Sequence, residues 1–207
     1  MDTMSIALIE KYFPQADGTV LDKLSKLEGL YADWNARINL ISRNDFVHFW
    51  ERHVLHSLGL VSIFSFPPGS RVVDVGTGGG FPGIPLAVWF PGTEFVLNDS
   101  IAKKLKVAAD VAEKLNLKNV SIRWDRAEKI REKFDFVTGR AVKSIPEFYG
   151  FTEHLLKGGK ESCYWYWKGG DFEEELTRIP MHSRTFELSA YFEEPFFETK
   201  KIVQLFA

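Results

Sequence analysis

The chain has 207 residues, a formal net charge of −2 and 45% hydrophobic residues. This length fits one domain with a small appendage, and the composition is that of an ordinary globular protein. A nearly neutral chain does not attract polyanions by bulk charge, which argues mildly against nucleic acid as a partner. Its one cysteine, Cys163, cannot form an internal disulfide, and the N-terminus lacks a signal-peptide pattern. No apolar run reaches the ~18 residues of a membrane span, so we expect a cytoplasmic protein without a membrane partner.

Charge is unevenly distributed along this chain. Residues 99–143 contain 12 Lys or Arg against 7 Asp or Glu, whereas residues 171–198 contain 2 against 8. Such polarity can orient an anionic substrate, although charged segments are often only solvated faces.

The first 66 residues differ in pattern from the remainder. Apolar residues at three- and four-residue steps predict helices over residues 5–13, 17–38 and 45–64. Pro67-Pro68-Gly69 ends this portion. We therefore expect residues 1–66 to form a helical extension packed on a core of residues 67–207.

Beyond residue 70, strands and helices alternate with short links. Strands are predicted over 71–75, 94–98, 120–124, 134–138, 161–167, 184–191 and 200–206, and helices over 82–90, 101–115, 145–156 and 171–179. This alternation predicts an α/β fold, a Rossmann-like and mainly parallel sheet with helices on both faces. Because no helix separates the last two strands, they should form an antiparallel hairpin at one edge.

A glycine-rich turn follows the first of these strands, in RVVDVGTGGGFPG at 71–83. Its glycines permit positive φ and let the backbone approach a ligand closely. The helix that opens near Pro82 should add free N–H groups and a positive dipole end. This order, a strand followed by a glycine-rich turn and then the first turn of a helix, indicates a site for a nucleotide-like cofactor.

Three cofactor classes compete for this turn. A P-loop would need a Gly-Lys-Ser/Thr ending, which is missing after Gly83, whereas a dinucleotide fingerprint is formally present over 78–83. The acidic residue at the strand end, Asp74, suits a cationic cofactor and would repel a pyrophosphate. The segment DVGTGGG at 74–80 thus resembles the first motif of Rossmann-like class I methyltransferases that use S-adenosylmethionine (SAM). The cofactor contacts predicted here are Asp74, Gly76, Gly78 and Gly80.

Two later segments extend the predicted cofactor site, the first with Asp99 and Ser100 and the second with Ala127 and Glu128. Asp99 ends the second strand, where a carboxylate accepts hydrogen bonds from two ribose hydroxyls. Capping of the next helix is the alternative, and Ser100 can perform it equally well, leaving Asp99 for the ligand. Ala127 and Glu128 follow the third strand, beside the expected adenine ring, unless they form only a surface turn.

Other polar residues point to a substrate. Arg140 follows the fourth strand and can bind a base or a phosphate, or else pair with Asp135 or Glu128. Lys168 ends the aromatic strand 164–167, whose own side chains should be core. His48, Arg52 and His56, together with His53, give the third helix a polar face, but without a fixing carboxylate pattern we predict no metal.

Seven segments together resemble one family. They are WNARINLIS (34–42), RHVLHSL (52–58), DVGTGGGFPGIPLA (74–87), LNDSIAKK (97–104), DRAEKI (125–130), GRAVKSI (139–145) and WKGG (167–170). In this order they resemble RsmG (also called GidB), the bacterial guanine-N7 methyltransferases of small-subunit rRNA. Departures are His56, where the family usually has Asp, Gly79 for Pro, Phe81 for Leu, and Asn98 for an apolar residue.

The resemblance implies transfer of a methyl group from SAM to N7 of a guanine in 16S rRNA. It implies cofactor contacts at Gly76, Phe81, Asp99, Ala127, Glu128 and Arg140. N7 carries an unprotonated lone pair, so catalysis should come from placement rather than from a base, with Arg140 as the positioning residue. The residues expected to form a basic rim for the anionic substrate are Arg52, His53, Lys103, Lys104, Arg126 and Lys168.

The weak overall charge favours a folded or protein-bound RNA particle over naked RNA as the substrate. We expect the chain to bind it as a monomer. Two alternatives stay open at this point. One is a small-molecule methyltransferase, and the other is a nucleotide-binding regulatory protein without turnover.

Overall fold

Seven strands form one mixed sheet in this computed structural model, which describes residues 5–159 and 161–207. The strands are β1 (Arg71–Val75), β2 (Glu94–Asp99), β3 (Val120–Trp124), β4 (Phe136–Arg140), β5 (Cys163–Gly169), β6 (His182–Glu187) and β7 (Lys200–Phe206). Their order is β3-β2-β1-β4-β5-β7-β6. The first five are parallel, and β7 runs antiparallel to both β5 and β6. The predicted α/β sheet with an antiparallel edge hairpin is confirmed.

Nine α-helices, most of them short, lie in the described ranges. They are α1 (Ile6–Tyr12), α2 (Gly18–Ser25), α3 (Leu27–Asn35), α4 (Arg43–Phe46), α5 (His56–Leu58), α6 (Gly83–Trp89), α7 (Ala102–Lys114), α8 (Ile145–Thr152) and α9 (Glu173–Leu176). None of these helices has the length and apolar character needed to cross a membrane.

The predicted N-terminal helices are more broken than the sequence pattern suggests. The helix expected over 17–38 is interrupted at Lys26, whose N–H bonds the Lys23 carbonyl three residues back and tightens the turn. The helix expected over 45–64 contains a π-helical turn at Trp50–Leu55. There the Ser57 hydroxyl donates to the His53 carbonyl at 2.6 Å, a bond that competes with the regular ladder.

Strands β4 and β5 begin two residues later than the sequence predicts. Phe134 only bridges Leu156, and the Asp135 carboxylate accepts the Arg71 N–H at 2.8 Å, so these residues precede β4 rather than start it. The shift makes Arg140 the last residue of β4, directly opposite Trp167 in β5. The sixth strand is also displaced, to His182–Glu187, and a 3₁₀ turn follows it.

The N-terminal extension shares its hydrophobic core with one face of the sheet. Leu27 and Tyr31 belong to the same buried cluster as Trp165 and Trp167, while Tyr164 and Tyr166 face the cluster on the opposite side. The four aromatic side chains of β5 are therefore core residues, as predicted. The Tyr31 hydroxyl also donates to the Gly79 carbonyl at 2.7 Å, which ties the extension to the glycine-rich turn.

Gly83 tests how closely α6 packs on the sheet. A Cβ at this position would lie 2.2 Å from the Leu97 side chain and 2.8 Å from Oδ2 of Asp74. We expect Gly83→Ala to lower the free energy of unfolding by about 1–3 kcal/mol in a urea titration, because neither neighbour can yield easily. Gly29→Ala is the matched control, since its Cβ meets nothing and should stabilise α3 by about 0.5–1 kcal/mol. Equal effects of the two changes would contradict this packing.

Candidate active site

A cavity of about 470 Å³ opens at the carboxyl ends of β1, β2 and β4. It is lined by Val75, Gly76, Asn98, Asp99, Ser100, Ile101, Lys104, Asp125, Arg126, Ala127, Glu128, Ala141, Val142, Lys143 and Phe151. Five of the predicted cofactor contacts meet here: Gly76, Asp99, Ser100, Ala127 and Glu128. Lys104 and Arg126, which we expected on a substrate rim, line this first cavity as well.

Gly76 forms the part of the turn that faces this first cavity. Its φ is +71°, and a Cβ would lie 2.7 Å from Cγ2 of Val142. Both observations require glycine, because an L side chain is strained at this φ and would also displace Val142. The backbone of the turn can thus come close to a bound ligand.

Asp74 lies beneath the turn and has no exposed surface. Its Oδ2 accepts the Thr77 hydroxyl at 2.6 Å and the Gly83 N–H at 3.0 Å, and its Oδ1 accepts the Thr138 hydroxyl at 3.0 Å. Burial raises the pKa of Asp74 to about 6 despite these bonds. Asp74 therefore braces the turn instead of lining the cavity.

The start of α6 differs from our expectation for the same reason. Its first N–H, that of Gly83, is already bonded to Asp74, and Gly83 and Ile84 are buried. This helix end therefore does not present the free N–H groups that the sequence pattern indicated.

Asp99 fixes the residue that precedes α7 and also holds the turn. Its Oδ1 accepts the Ile101 N–H at 2.8 Å, and its Oδ2 accepts the Gly78 N–H at 2.9 Å. Ser100, to which the sequence assigned the capping role, is exposed and makes no side-chain cap. Each carboxylate oxygen accepts more than one bond, so Asp99 retains acceptor capacity for ligand hydroxyls.

Asn98 fixes the loop that carries Ala127. Its Nδ2 donates to the carbonyls of Arg123 at 3.1 Å and Asp125 at 2.9 Å. Sequence reasoning recorded Asn98 only as an unusual polar residue, and its bonding partners explain why a polar side chain is buried there.

A second cavity, of about 410 Å³, lies beside the first. Its lining residues are His56, Arg140, Ala141, Val142, Lys143, Trp167, Lys168, Gly169 and Lys200. The segment Ala141–Lys143 lines both cavities and forms the wall between them. The Tyr166 hydroxyl holds this wall, since it donates to the Lys143 carbonyl at 2.7 Å and accepts the Lys143 N–H at 3.0 Å.

Arg140 reaches this second cavity from the end of β4. Its Nη1 donates to the Arg52 carbonyl at 3.2 Å, and its guanidinium lies over the Phe81 ring, 5.3 Å from the centroid. Within the described ranges it pairs with neither Asp135 nor Glu128, the partners considered from sequence. Burial lowers the pKa of Arg140 to about 10, so it stays charged at neutral pH.

Arg52 and His53 support Arg140 rather than line either cavity. Nε2 of His53 lies 2.8 Å from Oδ2 of Asp45, whose Oδ1 accepts from Arg52 at 2.9 Å. Burial and then the charge of Arg140 lower the pKa of His53 to about 4. The ring is therefore neutral, with Nδ1 accepting from Arg140 at 3.4 Å and Nε2 donating to Asp45.

The remaining predicted residues are dispersed. Lys168 lines the second cavity but is ion-paired with Glu175 at 2.9 Å, and Lys103 is exposed on α7 outside both cavities. Gly80 and Phe81 line neither cavity, and Phe81 packs on Tyr31 instead. In the part of the chain that the structure describes, no group of three or more His, Cys, Asp or Glu is placed to hold a metal ion.

The lining residues that sequence reasoning missed include Val142, Lys143 and Lys200. The sequence contained a signal for placing Val142 and Lys143 in the site, because they follow Arg140 at the carboxyl end of a parallel strand. It contained no such signal for Lys200, because that residue begins an antiparallel strand that reaches the site through the strand order β5-β7.

This chain is similar to known proteins along nearly its whole length. The GidB family model, described as rRNA small subunit methyltransferase G, matches residues 20–194. A protein of Christiangramia forsetii named ribosomal RNA small subunit methyltransferase G is 47% identical, covering 98% of this chain and 97% of that protein. The protein of the same name from Bacteroides thetaiotaomicron is 44% identical, covering 95% and 97%.

Solved structures share the fold. A SAM-dependent methyltransferase from Aquifex aeolicus superposes with a TM-score of 0.58 at 18% identity, covering 77% of this chain and 93% of that one. A SAM-dependent O-methyltransferase from Thermotoga maritima gives 0.58 at 16% identity, covering 73% and 64%.

The buried Asp74 carboxyl should make stability depend on pH. Because its pKa is raised to about 6 in the folded chain, the folded state binds more protons than the unfolded state between about pH 4 and 6. Stability from this group therefore falls as pH rises through that window. We expect Asp74→Asn to gain free energy of unfolding relative to wild type as pH rises from 4.5 to 7.5, by about 2 kcal/mol. Urea titrations across this range measure the difference, and a constant or shrinking difference would contradict the assignment.

Proposed function

Because this chain belongs to the family of rRNA small subunit methyltransferase G, we propose that it transfers the methyl group of SAM to N7 of a guanine in 16S rRNA. The observation that carries the proposal is the pair of adjoining cavities. One is built from the glycine-rich turn and Asp99, the other is cationic, and the single segment Ala141–Lys143 separates them.

The residues of the first cavity fit SAM. Asp99 has acceptor capacity for the two ribose hydroxyls, and the loop held by Asn98 presents Ala127, whose small side chain leaves the backbone accessible to the purine edge. The lining carries three carboxylates, Asp99, Asp125 and Glu128, beside three cations, Lys104, Arg126 and Lys143, so it offers partners to both the amino group and the carboxylate of SAM. SAM supplies an electrophilic methyl group on a sulfonium.

The residues of the second cavity fit an electron-rich base on a polyanion. Arg140, Lys143, Lys168 and Lys200 supply four cations, and none of the described residues lining this cavity is acidic. Guanine N7 already has a free lone pair and needs no general base, so a site without one is chemically sufficient. Arg140 is held by the Arg52 carbonyl and His53 and can place the base or its phosphate by hydrogen bonds.

The proposal also states whether the RNA substrate is naked or part of a folded particle. With a net charge of −2, the chain has little long-range attraction for naked RNA. We therefore propose recognition of a folded small-subunit particle by a monomer in the bacterial cytoplasm, where ribosomes are assembled.

SAM binding is the first test. Calorimetry should detect binding of SAM and no binding of NAD by the wild-type chain. We expect Asp99→Ala to weaken SAM affinity at least about tenfold, because the turn loses the bond to Gly78 and the ribose loses its acceptor. Asp22→Ala, on the surface of α2 and ion-paired with Lys26, is the control and should bind as wild type does. Binding of NAD alone would refute the cofactor assignment.

Methyl transfer to RNA is the second test. Small subunits that lack the modification are incubated with SAM carrying a labelled methyl group. We expect label at N7 of one guanine with wild type, and a loss of about 100-fold or more with Arg140→Ala, because placement of the base fails. Arg184→Ala, exposed on β6, should keep the wild-type rate.

The outcomes separate the alternatives. Label on small molecules only would support a small-molecule methyltransferase, and SAM binding without transfer would support a regulatory protein. A wild-type rate in the Arg140→Ala variant would remove Arg140 from the site.

A further inference from the structure

The side chain of His56 lines the cationic second cavity and is 8% exposed. Its Nε2 is buried and has no hydrogen-bond partner among residues 5–159 and 161–207. Buried polar atoms are almost always paired in folded proteins. An unpaired nitrogen on a side chain that lines a cavity thus indicates a ligand that completes it.

The ring of His56 is held in one orientation. Phe196 and Phe197 meet it edge to face, with centroids 5.3 Å and 6.0 Å away. The Trp167 indole N–H donates to the His56 carbonyl at 2.8 Å, which fixes the backbone. The unpaired nitrogen therefore has a defined position before any ligand binds.

The hydrogen bonds of the ring define its tautomer. The Arg52 carbonyl, one turn earlier in the chain, acts on the ring as a hydrogen-bond acceptor and raises the pKa of His56, against larger effects that lower it. Since Nε2 is the atom without a partner, Nδ1 is the atom that meets this carbonyl, and a carbonyl only accepts. Nδ1 therefore carries the proton and Nε2 presents a lone pair. Burial, followed by the charges of Arg140 and Lys200, holds the pKa of His56 well below its ordinary value, so the ring stays neutral.

This lone pair differs from every other side-chain group around the cavity. The lining side chains of Arg140, Lys143, Lys168, Lys200 and Trp167 offer donors, and those of Ala141 and Val142 are apolar. His56 is thus the one described lining side chain that accepts a hydrogen bond. A ligand that satisfies the whole cavity needs acceptors for the cations and a donor for His56.

We propose that Nε2 of His56 accepts a hydrogen bond from the Watson–Crick edge of the target guanine, at N1–H or the adjacent amino group, and so acts as a specificity-determining residue. The inference rests on the proposed function and goes beyond it by assigning the recognition of the base. Guanine presents O6 and N7 as acceptors and N1–H and the amino group as donors. Adenine has an unprotonated N1, which would face the lone pair of His56 and repel it.

The same bond strengthens during the reaction. As the bond from N7 to the methyl carbon forms, the bond from sulfur to that carbon breaks, and its electron pair stays on sulfur. The purine becomes positively charged, which makes N1–H a stronger donor while its proton remains on N1. A contact that tightens in the transition state raises kcat as well as affinity.

Three variants test the assignment. His56→Leu removes the acceptor, His56→Gln restores one near the position of Nε2, and His182→Leu on the exposed edge strand β6 is the control. We measure methyl transfer to unmodified small subunits at saturating SAM, and SAM affinity by calorimetry. We expect kcat to fall about tenfold or more in His56→Leu at unchanged SAM affinity, and to recover most of that loss in His56→Gln. The control should match wild type.

The possible outcomes distinguish a failure of this proposal from a failure of the proposed function. No transfer by the wild-type chain would refute the proposed function itself. An active wild type with His56→Leu at the same kcat, or with His56→Gln as slow as His56→Leu, would refute only the role of His56. Should His56→Leu fail to bind SAM, His56→Phe takes its place, since it keeps a ring against Phe196 and Phe197 and lacks the acceptor.

Discussion

The buried carboxylate of Asp74 is the interaction on which the site depends. Through Thr77, Gly83 and Thr138 it joins β1 to the glycine-rich turn, to the start of α6 and to β4. A carboxylate in a dry interior is costly, and the raised pKa of Asp74 records that cost. The three hydrogen bonds of Asp74 hold the turn in one shape, in which the Gly78 N–H donates to Asp99 and Gly76 lines the cavity. The first cavity therefore has its shape before a ligand enters it.

The N-terminal extension completes this arrangement from the other side of the turn. Tyr31 bonds the Gly79 carbonyl, and Phe81 packs between Tyr31 and the guanidinium of Arg140. The π-helical turn at Trp50–Leu55 supplies His53 and the Arg52 carbonyl, which hold Arg140. The extension thus supports the second cavity, because the residues that orient Arg140 come from it rather than from the sheet.

The sequence predicted the order of strands and helices, and it located Gly76, Asp99 and Ala127 in one cavity. These residues follow parallel strands, so their common edge is a consequence of the topology. The role of Asp74 could not be predicted, because a sequence shows a carboxylate at a strand end and not the three donors around it. Arg52 and His53 were misplaced for a related reason. A regular helix over 45–64 would present them to solvent or a cleft, whereas the π-helical turn directs them at Asp45 and Arg140.

The wall between the two cavities is the element on which the proposed reaction depends most. Because N7 needs no base, the rate of that reaction would depend on where the two reactants stand relative to each other, and Ala141–Lys143 lies between their two proposed cavities. The hydroxyl of Tyr166 makes three hydrogen bonds to the backbone of Val142 and Lys143, and Ala141 adopts a φ of +54° that an L residue rarely takes. Val142 in turn rests on Gly76. In an enzyme that needs a nucleophile and a base, such hydrogen bonds would orient those two groups. In this chain they hold a short segment of backbone in place, which is what a reaction governed by proximity requires.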